Sequence, residues 1–344
     1  MTEFRTPTTK KYKSRMQDNP ELQTPIKIPA SPFLEQIGYG CGVAVFSLER
    51  SPRVGFARSP WAIKKRNHKV EDRKYNERIR FEAEILRKLD HPNIVGFRAF
   101  TEVANGEPCL AMEKLDTSLG DRIEEKLEVG DDQFPAKDIL KIAYEIVKGL
   151  EYLHHTAHIL HGDIKSYNVL LSEDYSIVKL CDFGVSVPLT KSLEIDTSKG
   201  DFSYVGTECW SAPEIIFEDG PVTNKADIWS YGLVVWEMIA LSPPHVGNIE
   251  TVDDDSFKES MSEMETTLDL ETSEHDNKDE GIDFLKKMTH AICGTRPPLP
   301  AINLGKEYEK VLELFFACTT SEHNLRPSAK GILKYFENYI YKKK

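Results

Sequence analysis

The chain has 344 residues, 40% hydrophobic and 29% charged, ordinary proportions for a globular protein of one large domain or two. No apolar run reaches the ~18 residues of a membrane span, and MTEFRTPTTKKYK lacks the apolar core of a secretory signal, so no membrane partner is expected. The net charge of −12 is concentrated between Glu250 and Asp283, where 14 Asp/Glu face two Lys; the folded remainder has no basic stripe, so no nucleic-acid partner is expected.

Residues 1–32 carry six Lys/Arg against three acids, lack apolar periodicity and are punctuated by Pro, which predicts a disordered basic tail. FLEQIGYGCGVAVFSLER then predicts two short strands around a Gly turn, and SPWAIKK a third. Residues 71–89 repeat Ile79, Glu82, Ala83, Leu86 and Leu89 at helical spacing, and FRAFTEV and EPCLAMEK add two strands. Beyond them the pattern is helical. FPAKDILKIAYEIVKGLEYLHH puts Ile139, Ile142, Ala143, Ile146, Leu150 and Leu153 on one face, and NKADIWSYGLVVWEMIAL is apolar all round, as a buried central helix would be. Helical patterning returns from Tyr308 to Tyr339, while the acidic stretch 249–281 reads as a solvated insertion. Six cysteines (Cys41, Cys109, Cys181, Cys209, Cys293 and Cys318) without CxxC pairing point to a reducing compartment, cytosol or nucleus.

Three motifs carry chemistry. Closely spaced glycines in Gly38-Tyr39-Gly40-Cys41-Gly42-Val43-Ala44-Val45 let backbone N–H groups approach phosphates, although a Gly turn by itself is no more than a hairpin. Lys64, on the next strand, can reach the same phosphates; Glu82 is its expected partner on the helix, because Glu84 points about 200° away. In His161-Gly162-Asp163-Ile164-Lys165-Ser166-Tyr167-Asn168, Asp163 can deprotonate an alcohol, Lys165 can neutralise a moving phosphoryl group, and Asn168 and the Asp182 of Asp182-Phe183-Gly184 can hold Mg2+.

In order, these motifs resemble the protein-kinase family. The resemblance implies an α+β bilobal fold, with a β-rich N-lobe over 33–112 bearing one main helix and a helical C-lobe over 113–340. It implies ATP and Mg2+ as cofactors and a nucleotide site of Ile37, Gly38, Gly40, Gly42, Val45, Ala62, Lys64, Met112, Glu113, Leu115 and Leu170. His161 would brace Phe183, Asp227 would hold the catalytic-loop backbone, and Glu214 of Ala212-Pro213-Glu214 would pair with Arg326. Lys165 and the Gly206-Thr207 before WSAPE are those of Ser/Thr and dual-specificity kinases.

HGDIKSYN, IPASPF, SPWAIKK, HPNIVGFRAF, GTRPPLP and the acidic insertion further resemble the MAP-kinase-kinase-like family of PDZ-binding kinases. That likeness implies a mitotic dual-specificity kinase of cytoplasm, nucleus and spindle. It would act on MAP kinases and be phosphorylated by a cyclin-dependent kinase at Thr6, ahead of the other Pro-directed sites Thr24 and Ser31. Departures are visible. Val43 stands where the third Gly is expected, and Tyr341-Lys342-Lys343-Lys344 cannot fill an apolar PDZ pocket, so no PDZ binding through this end is expected. Gly162 replaces the Arg that elsewhere pairs with an activation-segment phosphate, so activity should depend little on phosphorylation of Thr190, Ser192, Thr197, Ser198 or Ser203. The rival reading, a pseudokinase scaffold, is opposed by the presence of Lys64, Asp163, Asn168 and Asp182.

Overall fold

A computed structural model describes residues 34–40, 42–49, 59–67, 74–102, 107–245 and 292–341. The N-terminal tail, the acidic insertion and the last three lysines lie outside these residues. The chain divides into two compact units, Met1–Asp90 with Gly96–Lys114, and His91–Val95 with Leu115–Lys344.

The first unit is a five-stranded sheet in the order β1-β2-β3-β5-β4: β1 Glu35–Gly40, β2 Val43–Leu48, β3 Trp61–Arg66, β4 Phe97–Glu102 and β5 Pro108–Glu113. Every neighbouring pair is antiparallel. The period of two divides its side chains between faces. Trp61, Ile63, Cys109 and Ala111 form one apolar cluster with Phe46, Leu48 and Ala99, which leaves Val45, Ala62, Lys64 and Met112 on the opposite side. Helix α1, Lys74–Leu86, buries Tyr75, Ile79, Glu82, Ala83, Ile85 and Leu86. It is shorter at its C-terminal end than the expected 71–89: Lys88 and Leu89 bond back three residues rather than four, tightening the last turn.

The second unit opens with β6 Thr117–Ser118 and α2 Leu119–Glu128, a helix that periodicity did not reveal. A capping box starts it. Ser118 Oγ accepts from Asp121 N–H at 3.0 Å, and Asp121 Oδ2 accepts from Ser118 N–H at 3.3 Å. Helix α3, Ala136–Glu151, buries its Ile139, Ile142, Ala143, Ile146 and Leu150 stripe, then widens into a π turn over Tyr152–Ala157 that ends at His158 in the left-handed region, φ 53°. Short strands β7 Ile159–Leu160, β8 Val169–Leu171, β9 Val178–Leu180 and β10 Val187–Pro188 frame the loops between.

Helix α4 is the single turn Pro213–Ile216. Helix α5, Lys225–Ala240, has fourteen buried residues from Ala226 to Ile239, so no face of it is left for solvent. The segment expected to be helical from Tyr308 to Tyr339 holds two helices, α6 Glu309–Cys318 and α7 Ala329–Tyr335. Pro327, which has no N–H to donate, lies between them, and that loop carries Arg326.

The first unit runs to Lys114, two residues beyond the expected Met112, and His91–Val95 belongs to the second unit. Asn93 Nδ2 donates to Glu145 Oε2 at 2.6 Å and to Val178 O at 2.9 Å, and Val95 N–H donates to Leu180 O at 2.9 Å.

Candidate active site

In the first unit the Gly loop is a tight hairpin, with Gly40 opposite Val43. Gly42 takes φ +70°, and a Cβ there would lie 2.2 Å from the Tyr75 ring, so only glycine fits both the turn and the helix beside it. Gly38 and Gly40 lie on β1 with Ile37, whose side chain is exposed where the β1–β2 register shifts. Lys64 Nζ is 2.9 Å from Glu82 Oε2, and both side chains are buried. Glu84 is exposed. Met112 is buried opposite Ala62, and Glu113 turns its carboxylate to Gly96 N–H at 3.1 Å and toward Arg98 at 3.7 Å.

In the second unit the catalytic loop is held from beneath by Asp227, in the first turn of α5. One carboxylate oxygen accepts from His161 N–H and His154 Nε2, each at 2.8 Å, and the other from Gly162 N–H at 3.0 Å. Burial would raise the Asp227 carboxyl, but the hydrogen bonds from His154 and Gly162 hold it below the usual carboxylate range. His161 Nδ1 accepts from Asp163 N–H at 3.3 Å, which leaves Nε2 to donate to Cys181 O at 2.9 Å. The same ring packs on Phe183, with centroids 4.9 Å apart. His154 is thus a structural hydrogen-bonder to Asp227.

Asp163 is the hub. Its Oδ1 accepts from Thr207 N–H at 3.1 Å and Thr207 Oγ1 at 2.6 Å, and its Oδ2 from Asn168 Nδ2 at 2.9 Å. Lys165 Nζ donates to Thr207 Oγ1 at 2.9 Å and lies 3.5 Å from Asp163 Oδ2. Thr207 thus binds the end of the activation segment directly to both loop residues, a role its place before WSAPE only hinted at. Asp182 has φ +62°, a sparsely populated conformation for a side-chain-bearing residue, and its Oδ1 accepts from Gly184 N–H at 3.3 Å. Cys181 N–H to Asn168 O, 3.0 Å, ties that turn to the catalytic loop. Leu170 follows on β8, paired with Ser118, and Leu115 begins the unit's longer segment.

The segment that follows Thr207, a short turn Glu208–Trp210 leading into α4 and here called the peptide shelf, is anchored twice. Trp210 Nε1 donates to Glu237 Oε2 at 2.9 Å, while Ser166 Oγ donates to Glu237 Oε1 at 2.6 Å. Burial pushes the Glu237 carboxyl up to about 7, against those two hydrogen bonds. Nothing in the motif pattern marks Glu237; its only signal is that it is one of two acids, with Asp227, in an otherwise largely apolar helix. Arg326 uses all five of its N–H donors. Nη1 and Nη2 each reach Glu214 at 2.7 Å, and the others go to Lys225 O, Thr320 O and Ser321 O.

A buried Lys–Glu pair behind a Gly-rich hairpin, and an Asp–Lys–Asn loop hydrogen-bonded to a Thr of the activation segment, define a protein kinase. The protein kinase domain family matches residues 33–336, and the chain belongs to that family. Among named relatives, it is 43% identical over 346 aligned residues to the human lymphokine-activated killer T-cell-originated protein kinase, covering 99% of each chain. It is also similar to the mitogen-activated protein kinase kinase kinase zak-1 of Caenorhabditis elegans, 34% identical over 48% of this chain and 22% of that one. The serine/threonine-protein kinase pakG of Dictyostelium discoideum is 39% identical over 50% of this chain and 14% of its own length. The chain is therefore an α+β protein kinase, and the scaffold alternative is not favoured. Its family implies use of ATP.

Proposed function

We propose that this kinase transfers the ATP γ-phosphate to Ser/Thr and Tyr of MAP kinases. The observation that carries the chemistry is the Asp163–Thr207–Lys165 network: Asp163 orients and deprotonates the substrate hydroxyl, and Lys165 neutralises the transferring phosphoryl group. Asn168 and Asp182 offer the oxygen donors a hard cation needs, and the Asn168 amide nitrogen is already committed to Asp163 O and Oδ2, which leaves its oxygen for the metal. Mg2+ bound there supplies charge neutralisation at the phosphates. We assign Ile37, Gly38, Gly40, Gly42, Val45, Ala62, Lys64, Met112, Glu113, Leu115 and Leu170 to the nucleotide; Glu113 would use main-chain groups, since its carboxylate is spent on Gly96 and Arg98. A MAP-kinase substrate and a dual specificity are supported by likeness alone. Cytoplasmic and nuclear location and Thr6 as a Pro-directed site rest on sequence alone; Thr6 lies outside the described residues.

The test is wild type against Asp182→Asn with Mg-ATP and a panel of MAP kinases, scored for phosphothreonine and phosphotyrosine. Both signals should appear with wild type and vanish with the variant; a wild-type protein inactive on every member would refute the substrate assignment.

Control is expected to be phosphate-independent. Gly162 has φ +80°, and a Cβ on Gly206 would lie 2.4 Å from Gly162 O, so the activation segment packs directly on the catalytic-loop main chain. With Thr207 on Asp163, this docks the segment without an Arg–phosphate pair. Replacing Thr190, Ser192, Thr197, Ser198 and Ser203 together by Ala should leave kcat within about threefold, a barrier change below ~1 kcal/mol. Abolished activity would overturn this.

A further inference from the structure

Two of the cysteines, far apart in the chain, meet in the fold. Cys209 lies in the short turn Glu208–Trp210 of the peptide shelf, between Thr207, which holds Asp163, and Trp210, which Glu237 holds. Cys293, 84 residues away, places its Sγ 3.5 Å from Cys209 Sγ. The approach is built in from the backbone. The turn that follows is closed by Thr295 N–H to Ile292 O at 3.2 Å. Gly294, at φ +76°, sits so close to Ile216 after the Ala-Pro-Glu turn that a Cβ would lie 3.1 Å from that side chain.

The two thiols are chemically unlike. Cys293 is fully buried and donates its S–H to Cys209; Cys209 is partly exposed. The donated S–H pulls the Cys209 thiol below the usual value, outweighing burial and the Glu208 charge, and the same bond with burial pushes Cys293 up. Cys109, by contrast, is pushed up to about 11 by burial, and burial also raises Cys318. A partly exposed, thiolate-prone cysteine beside a buried protonated partner is the arrangement of an attacking and a resolving thiol.

We propose that Cys209 is a site of reversible oxidation by hydrogen peroxide, with Cys293 as its resolving thiol. The Cys209 thiolate attacks the peroxide O–O bond, forming an S–O bond and releasing hydroxide, which takes up a proton to give water. The Cys293 sulfur then attacks Cys209; the S–O bond breaks, and the hydroxyl leaves with the Cys293 proton as a second water. Two thiols and one peroxide become one disulfide and two waters. The sulfurs must close from 3.5 Å to about 2.05 Å. That shift draws the shelf toward the Cys293 segment and away from its hold on Asp163. Misplacement of a positioning group by ~1 Å can cost up to about a hundredfold in rate, so the disulfide should lower peptide phosphorylation by at least about tenfold.

The experiment exposes the full chain to stoichiometric hydrogen peroxide, alkylates remaining thiols and maps peptides by mass spectrometry without reduction, a readout independent of kinase activity. The expected result is a Cys209–Cys293 cross-linked peptide, with phosphorylation restored by dithiothreitol. Cys293→Ser should give no such cross-link and should yield a dimedone adduct at Cys209; Cys209→Ser should give neither product. Alkylation of both thiols after peroxide treatment would overturn the proposal, as would Cys209 joined to a different cysteine.

Discussion

Asp163→Asn is expected to lower kcat for protein phosphorylation by about 10²–10⁴-fold, the usual contribution of a positioned general base. The amide keeps the shape of the carboxylate and can still accept from Thr207, yet it can neither take the substrate proton nor balance Lys165 at 3.5 Å. Because that interaction matters when the hydroxyl is attacking, kcat and kcat/KM should fall together while KM for ATP stays nearly constant. Steady-state kinetics on one protein substrate decide it. A variant that keeps more than about a tenth of the wild-type kcat would remove Asp163 from the role of base.

The second large effect concerns stability. Arg326→Ala should destabilise the folded protein by about 3–5 kcal/mol, because breaking a buried ion pair leaves an uncompensated charge, here Glu214. The guanidinium also satisfies three backbone carbonyls and lies 5.0 Å from the Trp229 ring, so its loss opens a hole in the second unit. At roughly 2–4 °C per kcal/mol for a domain of this size, the melting temperature should drop by about 6–20 °C. Removing the acid's charge as well, in Glu214→Gln with Arg326→Met, should recover part of the loss, since a neutral pair of similar volume leaves no buried charge. Calorimetry of both variants tests this. A single variant melting within about 2 °C of wild type would show that the pair contributes little.

Much of the fold was legible in the chain because the deciding patterns are local. Alternation with Gly turns marked the five strands of the first unit, and the 3.6-residue stripe of Ile139, Ile142 and Ile146 marked α3. Helix α2 escaped although Leu119, Ile123 and Leu127 recur every four residues behind the capping pair Ser118 and Asp121, because ten residues give that stripe only a short run. The break inside the helical segment near the C-terminus is of another kind: the loop around Arg326 is ordered by hydrogen bonds to Glu214, 112 residues earlier, and no window of neighbouring residues carries that information.

What the sequence offered by itself was the candidate set for phosphoryl transfer, since Lys64, Asp163, Lys165, Asn168 and Asp182 match the protein-kinase pattern by type and spacing. The choice of Glu82 over Glu84 also followed from helical geometry, and the 2.9 Å ion pair to Lys64 agrees. Only the tertiary structure decided how those groups are held. Asp227 reaches the catalytic loop across 65 residues, Thr207 reaches Asp163 across 44, Glu237 joins Ser166 to Trp210, and Cys293 meets Cys209 across 84. Each of these contacts depends on where buried elements come to rest. That is set by packing of α5 and its neighbours, a collective property that no spacing of residues along the chain encodes.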